Sequence, residues 1–285
     1  MTRPPPHGPL AVTMGEPAGV SGELALMAWL ARHRDEQAPF LVLDDPARLA
    51  NLAALLDLDV PVRAVADAPE ASATFAETLP VLPVELAAPV IPGQPNARNA
   101  PAVIAAIDRA VDLAQRGEVR GIVTGPVHKA TLYEAGFRSP GQTEYLAEKV
   151  GGARAVMMLA CPQLRVAPVT SHMRLRDAVQ SLSTAAIVAT GKILAEALQT
   201  DFGIPHPRLA VAGLNPHAGE DGAMGDEERH VITPAVAALA DAGIHVFGPV
   251  ASDSMFHAQA RGEYDAALCM YHDQALIPVK TIGFD

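Results

Sequence analysis

Three observations predict an α/β fold with mainly parallel sheets flanked by helices. Short apolar runs alternate with segments of helical periodicity, the order that parallel strands joined by crossover helices produce. Hydrophobic residues are 49% of the chain but aromatics only 4%, so the core must be Ala, Val, Leu and Ile, the residues of strands buried on both faces. Turns bearing Gly or Pro follow the strands closely, as Met14–Gly22 does after Leu10–Thr13. At about 150 residues per domain, the 285 residues predict two domains.

The elements follow in order. Leu10–Thr13 reads as a strand, and a helix is expected from Glu23 to Arg34. Phe40–Leu43 is the second strand. Asp44, Asp45 and Pro46 then mark a helix start, with a carboxylate to cap and Pro at an early helical position. Residues 60–99 carry seven prolines, among them Pro61, Pro69, Pro80 and Pro83, and predict edge strands and loops rather than long helices. Asn99 is expected to cap a helix reaching Arg116, with Ile104, Ile107, Val111 and Ala114 on one face. Strands are predicted at Gly121–Thr124, Ala155–Leu159, Val166–Thr170, Leu209–Ala212, His245–Phe247 and Ala266–Met270. Helices are predicted at Thr184–Gln199 and, despite Pro234, at Glu227–Ala242.

Composition excludes several classes. Lys and Arg number 21 against 32 Asp and Glu, a net charge of −11, which argues against a nucleic-acid backbone or an anionic membrane as partner. No run approaches the roughly 20 apolar residues of a transmembrane helix. The first eight residues lack the apolar stretch of a signal peptide. Two cysteines, Cys161 and Cys269, make no disulfide framework and suit a reducing cytosol. A cytoplasmic location is expected.

The chemistry gathers after three strands. His172, His217 and His272 each follow a predicted strand by a few residues, and open α/β sheets bind ligands beyond the carboxyl ends of their strands. Three imidazoles there could hold one metal and leave a position open for a substrate oxygen; three unrelated loop histidines are the alternative. Asp273 follows His272, and Asp253 lies in the turn after 245–247. Either could orient a ligating imidazole or handle a proton, or cap a turn. Lys129 and Lys280 are candidate anchors for a phosphate or carboxylate. Thr143 could contact substrate or cap a helix, and Glu227 and Glu228 read as first-turn helix residues. No Gly-x-Gly-x-x-Gly, P-loop, His-Glu-x-x-His or Gly-x-Ser-x-Gly motif occurs.

Several blocks carry a resemblance: Gly15–Gly19, Thr124–Lys129, Gly141–Glu144, Thr170–His172 with Leu175–Asp177, Leu214–Glu220, Gly248–Pro249 with Asp253, and Tyr271–Gln274. In these the chain resembles the 4-hydroxythreonine-4-phosphate dehydrogenase family of pyridoxal 5′-phosphate biosynthesis. The resemblance implies a two-domain fold like that of isocitrate and isopropylmalate dehydrogenases, with the active site in the interdomain cleft. It groups residues 1–130 with 245–285 in one discontinuous domain and makes 131–244 the central one, which carries the dimer contacts. It implies a homodimer sharing a divalent metal (zinc, with magnesium or cobalt as alternatives) on His172, His217 and His272, the last reaching across the interface. NAD or NADP would take the hydride. Lys280, Asp253 and Asp273 are the candidate catalytic residues, and Gln142, Thr143 and Lys280 the substrate contacts. Gln142 stands where the family usually has His; it can hydrogen-bond but cannot titrate. Family members continue past the position of Asp285 with a strand, phosphate-binding residues and a dinucleotide loop, so this chain is expected to be a fragment that binds metal but is impaired in NAD and phosphate binding.

Other readings are a paralogous dehydrogenase of 4-phosphoerythronate or 4-phosphothreonate, a metal-dependent hydrolase, and a non-catalytic binding protein. A substrate panel separates the first, and product release without nicotinamide the second. Tight binding without turnover marks the third.

Overall fold

The computed structural model describes residues 8–34 and 37–283. The chain forms two compact units that divide between Ala155 and Val156, each with a five-stranded sheet.

In the first unit β1 (Leu10–Thr13), β2 (Phe40–Asp44), β3 (Val62–Ala64), β4 (Leu79–Pro83) and β5 (Gly121–Val123) lie in the order β3-β4-β2-β1-β5, all parallel. The helices are α1 (Ser21–Ala31), α2 (Pro46–Leu55), α3 (Ala68–Thr74), α4 (Ala100–Gln115), α5 (Lys129–Glu134) and α6 (Gln142–Lys149). β2 is buried along its whole length because helices cover both faces. Phe40 and Val42 pack with Leu26 and Trp29 of α1 and Leu49 of α2. Leu41 and Leu43 point the other way, into a cluster with Ala68 of α3 and Val103 and Ala106 of α4. This is the period-two alternation of a strand between two helical layers. Asp45 caps α2 as expected, accepting from the N–H groups of Ala47 (2.9 Å) and Arg48 (3.1 Å).

Two expectations need correcting here. Residues 60–99 hold a helix, α3, and an interior strand, β4. Their prolines sit where they cost little: Pro69 in the first turn of α3, whose cap is Asp67, and Pro80 and Pro83 at the ends of β4. Asn99 stands at the N-terminus of α4, but its side chain does not cap it. The amide pairs instead with the N–H and C=O of Ala88, at 2.8 and 3.1 Å.

In the second unit β6 (Leu159–Cys161), β7 (Leu164–Pro168), β8 (Arg208–Ala212), β9 (His245–Val250) and β10 (Ala266–Cys269) lie in the order β6-β7-β10-β8-β9. Only β6 runs antiparallel. The helices are α7 (Leu175–Ser181), α8 (Thr184–Thr200), α9 (Thr233–Asp241), α10 (Ala258–Arg261) and α11 (His272–Ile282). Leu209, Val211, Ala266 and Leu268 face Ile187 and Leu194 of α8. Ala210, Ala212, Ala267 and Cys269 face Ala275 and Val279 of α11.

The strand expected at 155–159 forms instead at 159–161, where it makes a hairpin with β7. The helix expected over 227–242 forms, continuous to Asp241 but with a π-helical stretch at Glu228–Ile232 before α9 begins at Thr233, with Pro234 in its first turn. The grouping of 245–285 with 1–130 is also corrected. β9 and β10 are hydrogen-bonded to β8 and β7, so this segment belongs to the second unit. Among the described residues no single helix is long and apolar enough to cross a membrane.

Candidate metal and substrate site

The second unit builds a site where β7 and β10, neighbours in the sheet, end side by side. The hydroxyl of Thr170 donates to the carbonyl of Met270 at 2.8 Å and ties the two loops together. His172 follows with φ +52°, a left-handed backbone uncommon for a residue with a side chain. His272 opens α11. The two imidazoles lie 5.5 Å apart between ring centres. Nδ1 of His272 is 2.7 Å from a carboxylate oxygen of Asp273. That contact orients the ring through one nitrogen and leaves Nε2 as the nitrogen available to a ligand.

A cavity of about 620 Å³ opens over this pair, lined also by Arg174, Asp177, Tyr271 and Asp273. Burial pushes the Tyr271 hydroxyl above its ordinary range, so it stays protonated. A second cavity of about 350 Å³ adjoins His272 and Asp273 and runs along α11 past Leu276 to Lys280. Positions 272, 276 and 280 are four apart and share one helix face, which is how one helix brings an imidazole and an ammonium to one groove.

His217 is placed differently. It lies on the loop after β8, in a run of five left-handed residues from His217 to Asp221 with φ between 44° and 84°. Four of these carry side chains, and each costs roughly 1–2 kcal/mol in that conformation. His217 does not line the cavity around His172. Among the described residues no three His, Cys, Asp or Glu side chains converge closely enough to hold a metal. Of the three expected ligands, His172 and His272 line one cavity and His217 does not, although β8, the strand before His217, also pairs with β10. Two outward imidazoles with a carboxylate behind one are a donor set that suits a divalent ion such as zinc. Among the described residues no third such ligand stands at that point.

The other candidates are scattered. Asp253 is exposed in the loop after β9 and does not line either cavity. In the first unit, Lys129 is exposed and donates to the carbonyl of Pro140 at 3.1 Å. Gln142 begins α6, and its amide donates to the carbonyl of Gly125 at 3.2 Å. The opposite oxygen, Oε1, is buried without a hydrogen-bond partner. Thr143 is exposed in the first turn of α6 and is not its cap, which is Gly141.

Sequence reasoning passed over two residues. Glu228 is buried and accepts hydrogen bonds from the His217 loop. Gln274 is buried beneath the loops of β8, β9 and β10. Glu228 was hidden by its place at a predicted helix start, Gln274 by the absence of charge. The Asn215 amide beside Glu227 holds that carboxyl below the usual carboxylate range.

Parallel sheets buried between helices, with polar loops and paired imidazoles at the carboxyl ends of the strands, define the class: an α/β enzyme fold with a candidate metal site. The family model described as pyridoxal phosphate biosynthetic protein PdxA matches residues 35–285. A 4-hydroxythreonine-4-phosphate dehydrogenase of Bradyrhizobium diazoefficiens is 48% identical over 288 residues, covering 97% of this chain and 84% of the relative. One of Caulobacter vibrioides is 48% identical over 282 residues, covering 97% and 83%. The crystal structure of a 4-hydroxythreonine-4-phosphate dehydrogenase from Burkholderia phymatum superposes with a TM-score of 0.89 at 35% identity, over 98% of this chain and 84% of that one. The chain belongs to the PdxA family of pyridoxal phosphate biosynthetic proteins.

Proposed function

We propose that this chain oxidises 4-phosphohydroxy-L-threonine to 2-amino-3-oxo-4-phosphooxybutanoate in the cytoplasm, with NAD or NADP as hydride acceptor. The observation that carries the reading is the His172–His272 pair over an open cavity, in a chain of this family. Hydride leaves the carbon that bears the hydroxyl and passes to the nicotinamide, while the hydroxyl proton is released. The 3-keto acid then loses its carboxylate as CO₂, and the enolate left behind takes up a proton at the amine-bearing carbon to give 3-amino-2-oxopropyl phosphate.

His172, His217 and His272 would hold the metal, in a site shared between two copies of the chain in a homodimer. When bound, a divalent cation lowers the pKa of a hydroxyl that meets it. Asp273 keeps the His272 ring in one orientation. Lys280, on the same face of α11, supplies a positive charge for an anionic end of the substrate, which offsets locally the chain's net charge of −11. Gln142, with its unpartnered oxygen, and Thr143 are assigned to substrate hydrogen bonds, and Asp253 to proton transfer.

The test is NADH or NADPH formation from 4-phosphohydroxy-L-threonine with added zinc, magnesium or cobalt, with 4-phosphoerythronate and 4-phosphothreonate in parallel. Metal-dependent turnover of the hydroxythreonine phosphate is expected. Turnover of only the other acids would reassign the substrate and point to Gln142. Phosphate release without nicotinamide would replace a dehydrogenase by a hydrolase.

A further inference from the structure

The loop that carries His217 begins with three residues whose backbone groups are held by side chains from elsewhere in the second unit. Gly213 donates its N–H to Val250 at 2.8 Å. Its carbonyl accepts from Nε2 of Gln274 at 2.5 Å and from the hydroxyl of Ser252 at 3.2 Å. The N–H groups of Leu214 and Asn215 both donate to one oxygen of Glu228, each at 2.7 Å. The Asn215 amide donates to the other Glu228 oxygen at 2.9 Å and to Glu227 at 2.8 Å. Glu228 is 5% exposed and Gln274 is 6% exposed. A side chain at Gly219 would place its Cβ 2.7 Å from Glu228 Oε2, so the left-handed turn closes directly on this carboxylate.

Of the five left-handed residues at 217–221, Gly219 alone adopts that backbone without strain. Their conformation persists because the residues before them are fixed. Gln274 adds a second link. It stands two residues after His272, its oxygen accepts from the N–H of Met270 at 2.6 Å, and its nitrogen donates to Ser252 at 2.7 Å. One amide therefore bridges the loops of β8, β9 and β10.

We infer that Glu228 and Gln274 are positioning residues, a two-sided clamp that fixes the backbone at 213–215 and through it the direction of His217, with Gln274 tying that loop to the helix that carries His272. The inference rests on the proposed metal role of His217 for its purpose, but not for its geometry.

The experiment uses the full chain and three variants: Glu228→Gln, Gln274→Leu and His217→Ala. Glu228→Gln keeps one acceptor but turns a donor toward the Asn215 amide. Amide hydrogen exchange across 213–222 and Zn²⁺ affinity by equilibrium dialysis are read together. For Glu228→Gln and Gln274→Leu the expected result is exchange at 213–222 faster by tenfold or more. Zn²⁺ affinity should be weaker by about 10- to 100-fold, the usual consequence of losing a partner behind a metal ligand. Turnover should return at saturating Zn²⁺, and exchange in β7 and β10 should stay as in the parent.

Unchanged loop exchange in both variants overturns the clamp. So does uniform loss of protection across the second unit, which would mark the two residues as purely structural. If Glu228→Gln does not fold, Asn215→Ser, which removes only the side-chain bonds to the two carboxylates, takes its place in the same readings. His217→Ala separates the two claims. If it leaves Zn²⁺ affinity unchanged, the metal reading fails while loop exchange in the other variants still decides the clamp.

Discussion

Strands 10–123 and strands 159–269 form two five-stranded sheets, and their polar groups at the strand ends differ in kind. In the first sheet the carboxyl ends of β1 and β2 hold groups that satisfy each other. Asp44 is 1% exposed and lies 2.5 Å from Arg48, which donates onward to the carbonyl of Pro17. Buried Glu16 accepts from the N–H of Ala18 and the hydroxyl of Thr131. In the second sheet, besides the buried Thr170, Glu228 and Gln274, several side chains beyond the strands stay open. His172 is exposed, Asp273 is bound only along its edge to His272, and Lys280 is exposed. The contrast is between polar groups used to close a structure and polar groups kept open for a ligand, and His172, on the open side, has left-handed backbone.

Substitutions test that contrast, the largest effect first. His172→Gly should abolish most turnover, by about 1000-fold, if the several kcal/mol a metal contributes is lost. Its unfolding midpoint should not fall, since Gly accepts φ +52° without strain. A large loss of stability would place His172 with the closed groups of the first sheet. Asp44→Asn should do the reverse. It leaves Arg48 buried without its counter-charge, at a cost of about 3–5 kcal/mol, read by urea denaturation; a change below 1 kcal/mol would break the comparison. Lys280→Ala should raise KM for the phosphorylated substrate by about 10- to 100-fold, the worth of a charged hydrogen bond, with kcat little changed.

The smallest effect is a titration. Burial pushes the Asp44 carboxyl up to about 6, against the pull of Arg48. The folded chain therefore holds this proton more tightly than the unfolded one does. The contribution to stability is fully present below the unfolded value of 3.8 and is lost as pH rises through about 6. A carboxyl ¹³C titration of Asp44 should show a midpoint near 6. A midpoint near 4 would mean that Arg48 outweighs burial.

Much of the frame was legible. Phe40–Leu43 and Ala266–Met270 are apolar runs too short and too continuous for anything but interior strands, and Asp45 before Pro46 is a cap with a mechanism. Prolines misled: those at 69, 80 and 83 hid α3 and β4. The histidines at strand ends were readable because the position after a parallel strand is itself a signal. Strand order sets both β7 and β8 beside β10; what sets His217 apart is the left-handed run of its own loop, at which only Gly219 and Gly222 hinted.

The strand order has a further consequence, in time. Among the described residues β10 comes last in sequence of the strands of its sheet, yet it lies between β7 and β8. Strands β1 to β5 are all complete by residue 123, so the first sheet can close while synthesis continues. The second cannot: until residues 266–269 leave the ribosome, β7 and β8 each present a bare edge with no neighbour on that side. Such edges invite pairing with other chains. A nascent chain halted near residue 265 should thus be the species in most need of a chaperone, and the arrival of β10 should bring together, in one step, the loops bearing His172 and His272.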